Sequence, residues 1–211
     1  MRLRYVFPLF LAVAGLAQAS MLTLSPVTVF HQYQQTTNNP CVIGDPSCGN
    51  PAGFSETVFP DPATAYNEWS PIYTVGQITA IVGDSFMMGV DINQTVVDQT
   101  LSLFTMSING IPVDTYSSDP AHAVPFTTGG GNGNGYADYT LSNFTSLAGY
   151  SSTDTVQFHV EMPLVNDGRE EYFLISNGAT PVGGQVPEPL SMFLMGTGLL
   201  GVGIFGKFRR A

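Results

Sequence analysis

The sequence predicts an all-β domain, an antiparallel β-sandwich of jelly-roll-like kind, flanked by an N-terminal signal peptide and a C-terminal transmembrane helix. Three observations predict it. Apolar and polar residues alternate in short runs, as half-buried strands require. Turn residues (Gly, Asn, Asp) separate those runs. Continuous apolar stretches with basic flanks stand only at the two chain ends. Just 10% of the 211 residues are charged, against about 25% in average globular chains. Between residues 20 and 189 one base, Arg169, faces sixteen acids, a formal charge of −15, and lysine is absent. This composition excludes a binder of nucleic-acid backbones, which needs clustered Lys and Arg. It also disfavours nucleotide-phosphate chemistry, which needs a lysine on the phosphates.

Residues 1–19 read as a signal peptide. Arg2 and Arg4 form the positive start, residues 5–16 are apolar, and Ala17-Gln18-Ala19 supplies the small-x-small pattern that signal peptidase accepts. Twelve apolar residues reach about 18 Å as a helix, short of a hydrocarbon core of roughly 30 Å, so cleavage after Ala19 is expected rather than anchoring.

The domain follows, at residues 20–180. Residues 156–164 alternate for nine positions, Asn166-Asp167-Gly168 supplies a turn, and residues 170–176 return, which predicts a hairpin. A second hairpin runs through residues 99–108 and 111–116, with Asn109-Gly110 at the two positive-φ positions of a type I′ turn. Further strands are expected at 21–30, 72–82, 86–92 and 139–144, and irregular structure at 36–62 and 121–135. In the first irregular stretch, Cys41 and Cys48 enclose Gly44 and Pro46. In an oxidising compartment this pair predicts a disulfide closing a small loop. No second cysteine pair or spaced histidine makes it half of a metal site.

Several motifs invite chemistry. Gly83-Asp84-Ser85 after an apolar run is similar to the nucleophile block of GDSL-type hydrolases, and Asp119-Pro120-Ala121-His122 offers an Asp-x-x-His base. That family's parallel α/β sheet does not suit this chain, its blocks stand further apart, and its Gly-x-Asn-Asp element is missing. No catalytic residue is therefore assigned. Residues 129–135 are Gly/Asn-rich without the Lys-Ser/Thr of a phosphate loop and read as a surface loop. Fifteen acids stand ahead of the tail; they read as solvated charges that keep a surface protein soluble, with Ca²⁺ binding as the alternative, and no cofactor is assigned. Asp45, Asp61, Asp84, Asp91, Asp138 and Asp167 are the loop or strand-edge candidates for Ca²⁺, but no metal-ligand set is assigned. His31, His122 and His159 are scattered. Trp69, beside Glu68 and Tyr66 in a Pro-bounded loop, is a candidate platform for stacking a sugar.

A linker at 181–185 leads into the tail at 186–211. Here Val186, Pro187, Glu188 and Pro189 precede an apolar run at 190–205, and Lys207, Arg209 and Arg210 close the chain. The run spans about 24 Å as a helix, and its basic end stays cytoplasmic by the positive-inside rule. This order and spacing resembles the PEP-CTERM sorting signal. The resemblance implies processing by an exosortase, a membrane cysteine protease, after signal peptidase has acted at the other end. It also implies a Gram-negative bacterium that makes extracellular polysaccharide, with the domain passing from an inner-membrane intermediate in the periplasm to the surface or matrix. The expected role is structural or adhesive and non-catalytic. A carbohydrate- or Ca²⁺-binding module is the alternative, and an ester hydrolase a remote one.

Overall fold

The computed structural model describes residues 19–28, 32–60, 65–93, 99–118, 125–126, 133–163 and 168–178. Along them run β1 (Ser20–Met21), β2 (Thr23–Pro26), β3 (Cys41–Gly44), β4 (Thr57–Val58), β5 (Tyr66–Trp69), β6 (Tyr73–Thr74) and α1 (Val75–Val82). Next come β7 (Phe86–Asp91), β8 (Gln99–Thr100), β9 (Leu103–Ile108), β10 (Ile111–Ser117), β11 (Pro125–Phe126), β12 (Tyr139–Ser142), β13 (Thr155–Met162) and β14 (Glu171–Ser176). One sheet has the order β1-β10-β9-β13-β5, with β6 also on β13; the other is β2-β12-β7-β14-β3-β4. Pairing is antiparallel except at β1–β10 and β3–β4, and β8–β11 pair on their own.

The two sheets face each other across an aromatic layer, as the sandwich expectation requires. Phe104, Met106, Phe158 and Val160 come from the first sheet, and Met88, Val90, Leu141, Tyr172 and Leu174 from the second; all are fully buried. The Phe104 and Tyr172 rings stack at 5.9 Å, and Phe86 meets Phe158 edge-on at 6.3 Å. The buried Tyr172 hydroxyl donates to Met162 Sδ at 3.2 Å, which satisfies its polar end. The Asn109-Gly110 turn forms as expected, with φ of 51° and 75°. The Asn109 side-chain oxygen accepts from the Thr155 amide (2.9 Å), fastening the turn to the start of β13.

Four expectations change. Residues 156–164 and 170–176 do form strands, but β13 and β14 lie in different sheets and do not pair. β13 buries Val156, Phe158, Val160 and Met162 on one face, whereas β14 is apolar on both and needs a central place. Residues 72–82 are not a strand beyond Thr74. Thr74 and Gln77 form a capping box, and Val75, Ile78 and Val82 bury one stripe of α1 at helical spacing. Gly83, at φ 78°, ends the helix. The stretch 21–30 breaks at Leu22, so that β1 and β2 enter opposite sheets. Neither stretch expected to be irregular is wholly so, since 36–62 contains the fully buried β3 and the short β4, and 121–135 contains the two-residue β11.

Because β14 is apolar on both faces, the second sheet needs cover on its outer side. There Phe173 and Ile175 pack with Cys41 and Ala137, and Val27, Tyr33, Cys48 and Met87 close around them. Gly89, paired with Phe173 across β7–β14, makes room for the ring: a Cβ at Gly89 would lie 2.6 Å from Phe173 Cε2 and 2.9 Å from Ile175 Cδ1. Gly89→Ala is therefore expected to destabilise the domain by about 1–3 kcal/mol through overpacking. The check is a lowered urea midpoint at unchanged slope.

Candidate functional site

The end of the second sheet where β7 stops gathers carboxylates. Asp91, the last residue of β7, is fully buried, and Glu171 faces it directly across β14. Asp91 Oδ2 accepts the Gly135 amide at 2.5 Å, while its Oδ1 has no hydrogen-bond partner. Asp138, just before β12, brackets Asp91 from the other side: its amide donates to the Val90 carbonyl (2.8 Å), and its Oδ2 accepts the Ile92 amide (2.9 Å). Glu171 is buried, and its Oε2 also lacks a partner. Asn93 wedges between two loops here. A Cβ on Gly133 would come within 2.6 Å of Asn93 Cγ, and one on Gly168 within 1.8 Å of its Nδ2.

Electrostatics follow from this crowding. Burial pushes Asp91 up to about 8, reinforced by the charges of Asp138, Glu171 and Glu170 and opposed by the Gly135 amide. Burial, with help from Asp45, pushes Glu171 up to about 7. Asp138 is raised by burial against the Ile92 hydrogen bond. Asp45 behaves differently. Burial works against it, but hydrogen bonds from Ser47 and Arg169 and the Arg169 charge hold it below the usual range. Arg169 donates to Asp45 Oδ2 at 3.2 Å and to the Phe59 carbonyl at 2.6 Å.

The remaining candidates lie elsewhere. Cys41 and Cys48 form the expected disulfide. The Glu171 carboxylate lies within 4.8 Å of both sulfurs, but sulfurs bonded to each other are not thiolate ligands. Trp69 is on edge strand β5, not in a loop. It is 46% exposed, and its ring stacks on His159 at 4.1 Å and 9°. His159 Nε2 lies 2.8 Å from Asn67 Oδ1 and 3.7 Å from Glu161. Burial lowers its pKa, with Glu161 and Glu68 opposing. Ser85 sits in the α1–β7 junction, where its carbonyl accepts the Asn177 amide, and Asp84 accepts the Leu147 amide there. Asp114, which the sequence reading missed, is fully buried on β10 and accepts from Ser20 Oγ, the Thr145 amide (2.9 Å) and Thr145 Oγ1 (2.6 Å). Ala19 directly precedes β1.

Ala17, His31, Asp61, Asp119, His122 and Asp167 lie outside the described residues, as do most of 129–135 and the whole tail with Val186, Pro187, Glu188, Pro189, Lys207, Arg209 and Arg210. Among the described residues no helix is long and apolar enough to cross a membrane. For the tail the deciding observation is a match over residues 185–210 to the model of a protein-sorting motif. The tail is a PEP-CTERM protein-sorting motif. A PEP-CTERM tail makes this an exported, membrane-sorted chain and implies exosortase processing. No curated protein and no solved structure matches the chain, so PEP-CTERM describes its delivery and leaves the domain to be read from its own geometry.

The acids at the end of β7 have a measurable consequence. Their folded-state pKa values lie above the ordinary 3.8 and 4.5, so the folded protein holds protons that the unfolded chain releases. Stability is then greatest below about pH 4 on this account and falls as pH rises toward 8. In EDTA, the urea midpoint is expected to drop between pH 5 and pH 8.5, and Asp91→Asn to flatten that dependence.

Proposed function

We propose that this chain is a non-catalytic structural or adhesive protein of the cell surface or exopolysaccharide matrix of a Gram-negative bacterium. The PEP-CTERM tail carries this reading. In it, signal peptidase removes residues 1–19, and the acidic domain folds in the periplasm. The apolar run 190–205 then holds the chain in the inner membrane, with Lys207, Arg209 and Arg210 inside. Exosortase cuts near Val186-Pro187-Glu188-Pro189, where two prolines keep the backbone extended and open to a protease. The Cys41–Cys48 disulfide supports an oxidising destination. Repeated crossing of the chain between sheets supports the jelly-roll-like description, with the β9–β10 hairpin as a departure from it. The antiparallel sandwich around Ser85 supports a structural role over a hydrolase, whose family fold is parallel α/β.

Intact mass of the protein released by its host tests the sorting reading, with a variant lacking residues 186–211 beside it. Loss of both 1–19 and the segment beyond the Pro-Glu-Pro motif is expected. Retention of residues 190–211 in the membrane fraction would make the tail a plain anchor.

One observation favours a second reading, carbohydrate binding through the outer face of the first sheet. Trp69 presents one ring face outward while His159 supports the other, and His159 pairs across the strands with Thr105. An indole backed by polar neighbours suits a pyranose, whose C–H face stacks and whose hydroxyls bond. Trp69→Ala is expected to weaken retention on the host's exopolysaccharide at least tenfold, measured by affinity electrophoresis. Unchanged retention would leave Trp69 as cover for His159 alone.

A further inference from the structure

Trp69 stands among acids with no base to answer them. On the outer face of the first sheet, the rung Trp69–His159–Thr105 is followed by the rung Asn67–Glu161–Leu103, two residues or about 7 Å along the strands. The Glu161 carboxylate is part-exposed, and its one polar contact among the described residues is the 3.7 Å approach to His159 Nε2. Its charge and that of Glu68 both reach the His159 ring, while burial favours the neutral imidazole there. Arg169 is the one Lys or Arg among the described residues, and it is engaged with Asp45 and the Phe59 carbonyl. The exposed indole face is therefore bordered by carboxylates that carry no counter-charge.

Resting on the carbohydrate reading of Trp69, we propose that this face selects glycans that carry free amino groups, such as hexosamine polymers that are not fully N-acetylated. A pyranose lays its C–H face on the indole, and the ammonium on that ring or the next meets Glu161, with the Glu68 charge behind it on the edge strand. An ammonium near the ring also gains from the π face of the indole itself. The same arrangement works against uronic-acid polymers. Their carboxylates approach Glu161, Glu68 and a stretch, residues 20–189, of formal charge −15, so they are repelled both at long range and at the face. Attraction for one glycan and rejection of the other come from the same side chains, which is how an interface discriminates.

Trp69 is the single tryptophan of the chain, so its fluorescence reports contact at this face. The full chain in nonionic detergent is titrated at pH 6.0 with a β-1,4-linked glucosamine trimer, its N-acetylated counterpart and a galacturonic acid trimer. The glucosamine trimer is expected to shift the Trp69 emission and to bind at least about tenfold more tightly than the N-acetylated one, while the galacturonate leaves the emission unchanged. Glu161→Gln is expected to cut that preference to about threefold or less without weakening the N-acetylated trimer. Trp69→Ala, followed by calorimetry, is expected to lose both. Equal binding of the two amino-sugar trimers overturns the amine selectivity and leaves the carbohydrate reading standing. No response to any trimer overturns the proposal, and retention on the host exopolysaccharide then decides the carbohydrate reading by itself. Heat of binding without a change in Trp69 emission, or a preference that survives Glu161→Gln, places the attraction on the acidic surface at large and also overturns the proposal.

Discussion

The structure turns on the double burial of β14. A strand that hides Tyr172 and Leu174 on one side and Phe173 and Ile175 on the other cannot stand at an edge or face water. It therefore occupies the interior of the second sheet, between β7 and β3. Its inner side calls up the aromatic layer against Phe104 and Phe59. Its outer side calls up a partial third layer, built from the disulfide region and from residues such as Tyr33 and Ala137. Gly89 exists in β7 because Phe173 has already taken the space above it.

That third layer also explains the buried acids. A segment drawn over the sheet excludes water from whatever lies beneath, including the polar ends of the strands it covers. Gly135 hydrogen-bonds Asp91, and Ala137 belongs to the outer apolar cluster, so one short stretch seals both. The same covering contributes cohesion at one end and electrostatic tension at the other. Across the sandwich, Asp114 is buried without that tension because Ser20 and Thr145 supply its donors.

What the sequence disclosed follows from the range of the interactions involved. The Asn109-Gly110 turn and the Cys41–Cys48 bridge are local, and both were legible. The β13 and β14 segments were legible as strands, but their partners were not. Alternation reports which side of a strand is wet, and adjacency in the chain suggests a hairpin that the double burial of β14 overrides. Residues 72–82 misled through β-branched Val and Ile, although Thr74 and Gln77 carried the capping-box spacing. Asp91, Asp138 and Asp45 stood out as acids near strand ends, whereas Glu171 and Asn93 did not. Their convergence is a matter of sheet register and loop approach, which no local pattern encodes.

The placement of β1 bears on how the first sheet holds its edge. It begins at Ser20 and lies parallel along the β10 edge, with the Ser20 hydroxyl donating to Asp114. Asp114 is fully buried and takes its donors from Ser20 and Thr145. A strand of two residues has little ladder of its own, so its hold on the sheet is shared with that buried carboxylate, and peeling β1 away would strip Asp114 of a donor it cannot replace from water.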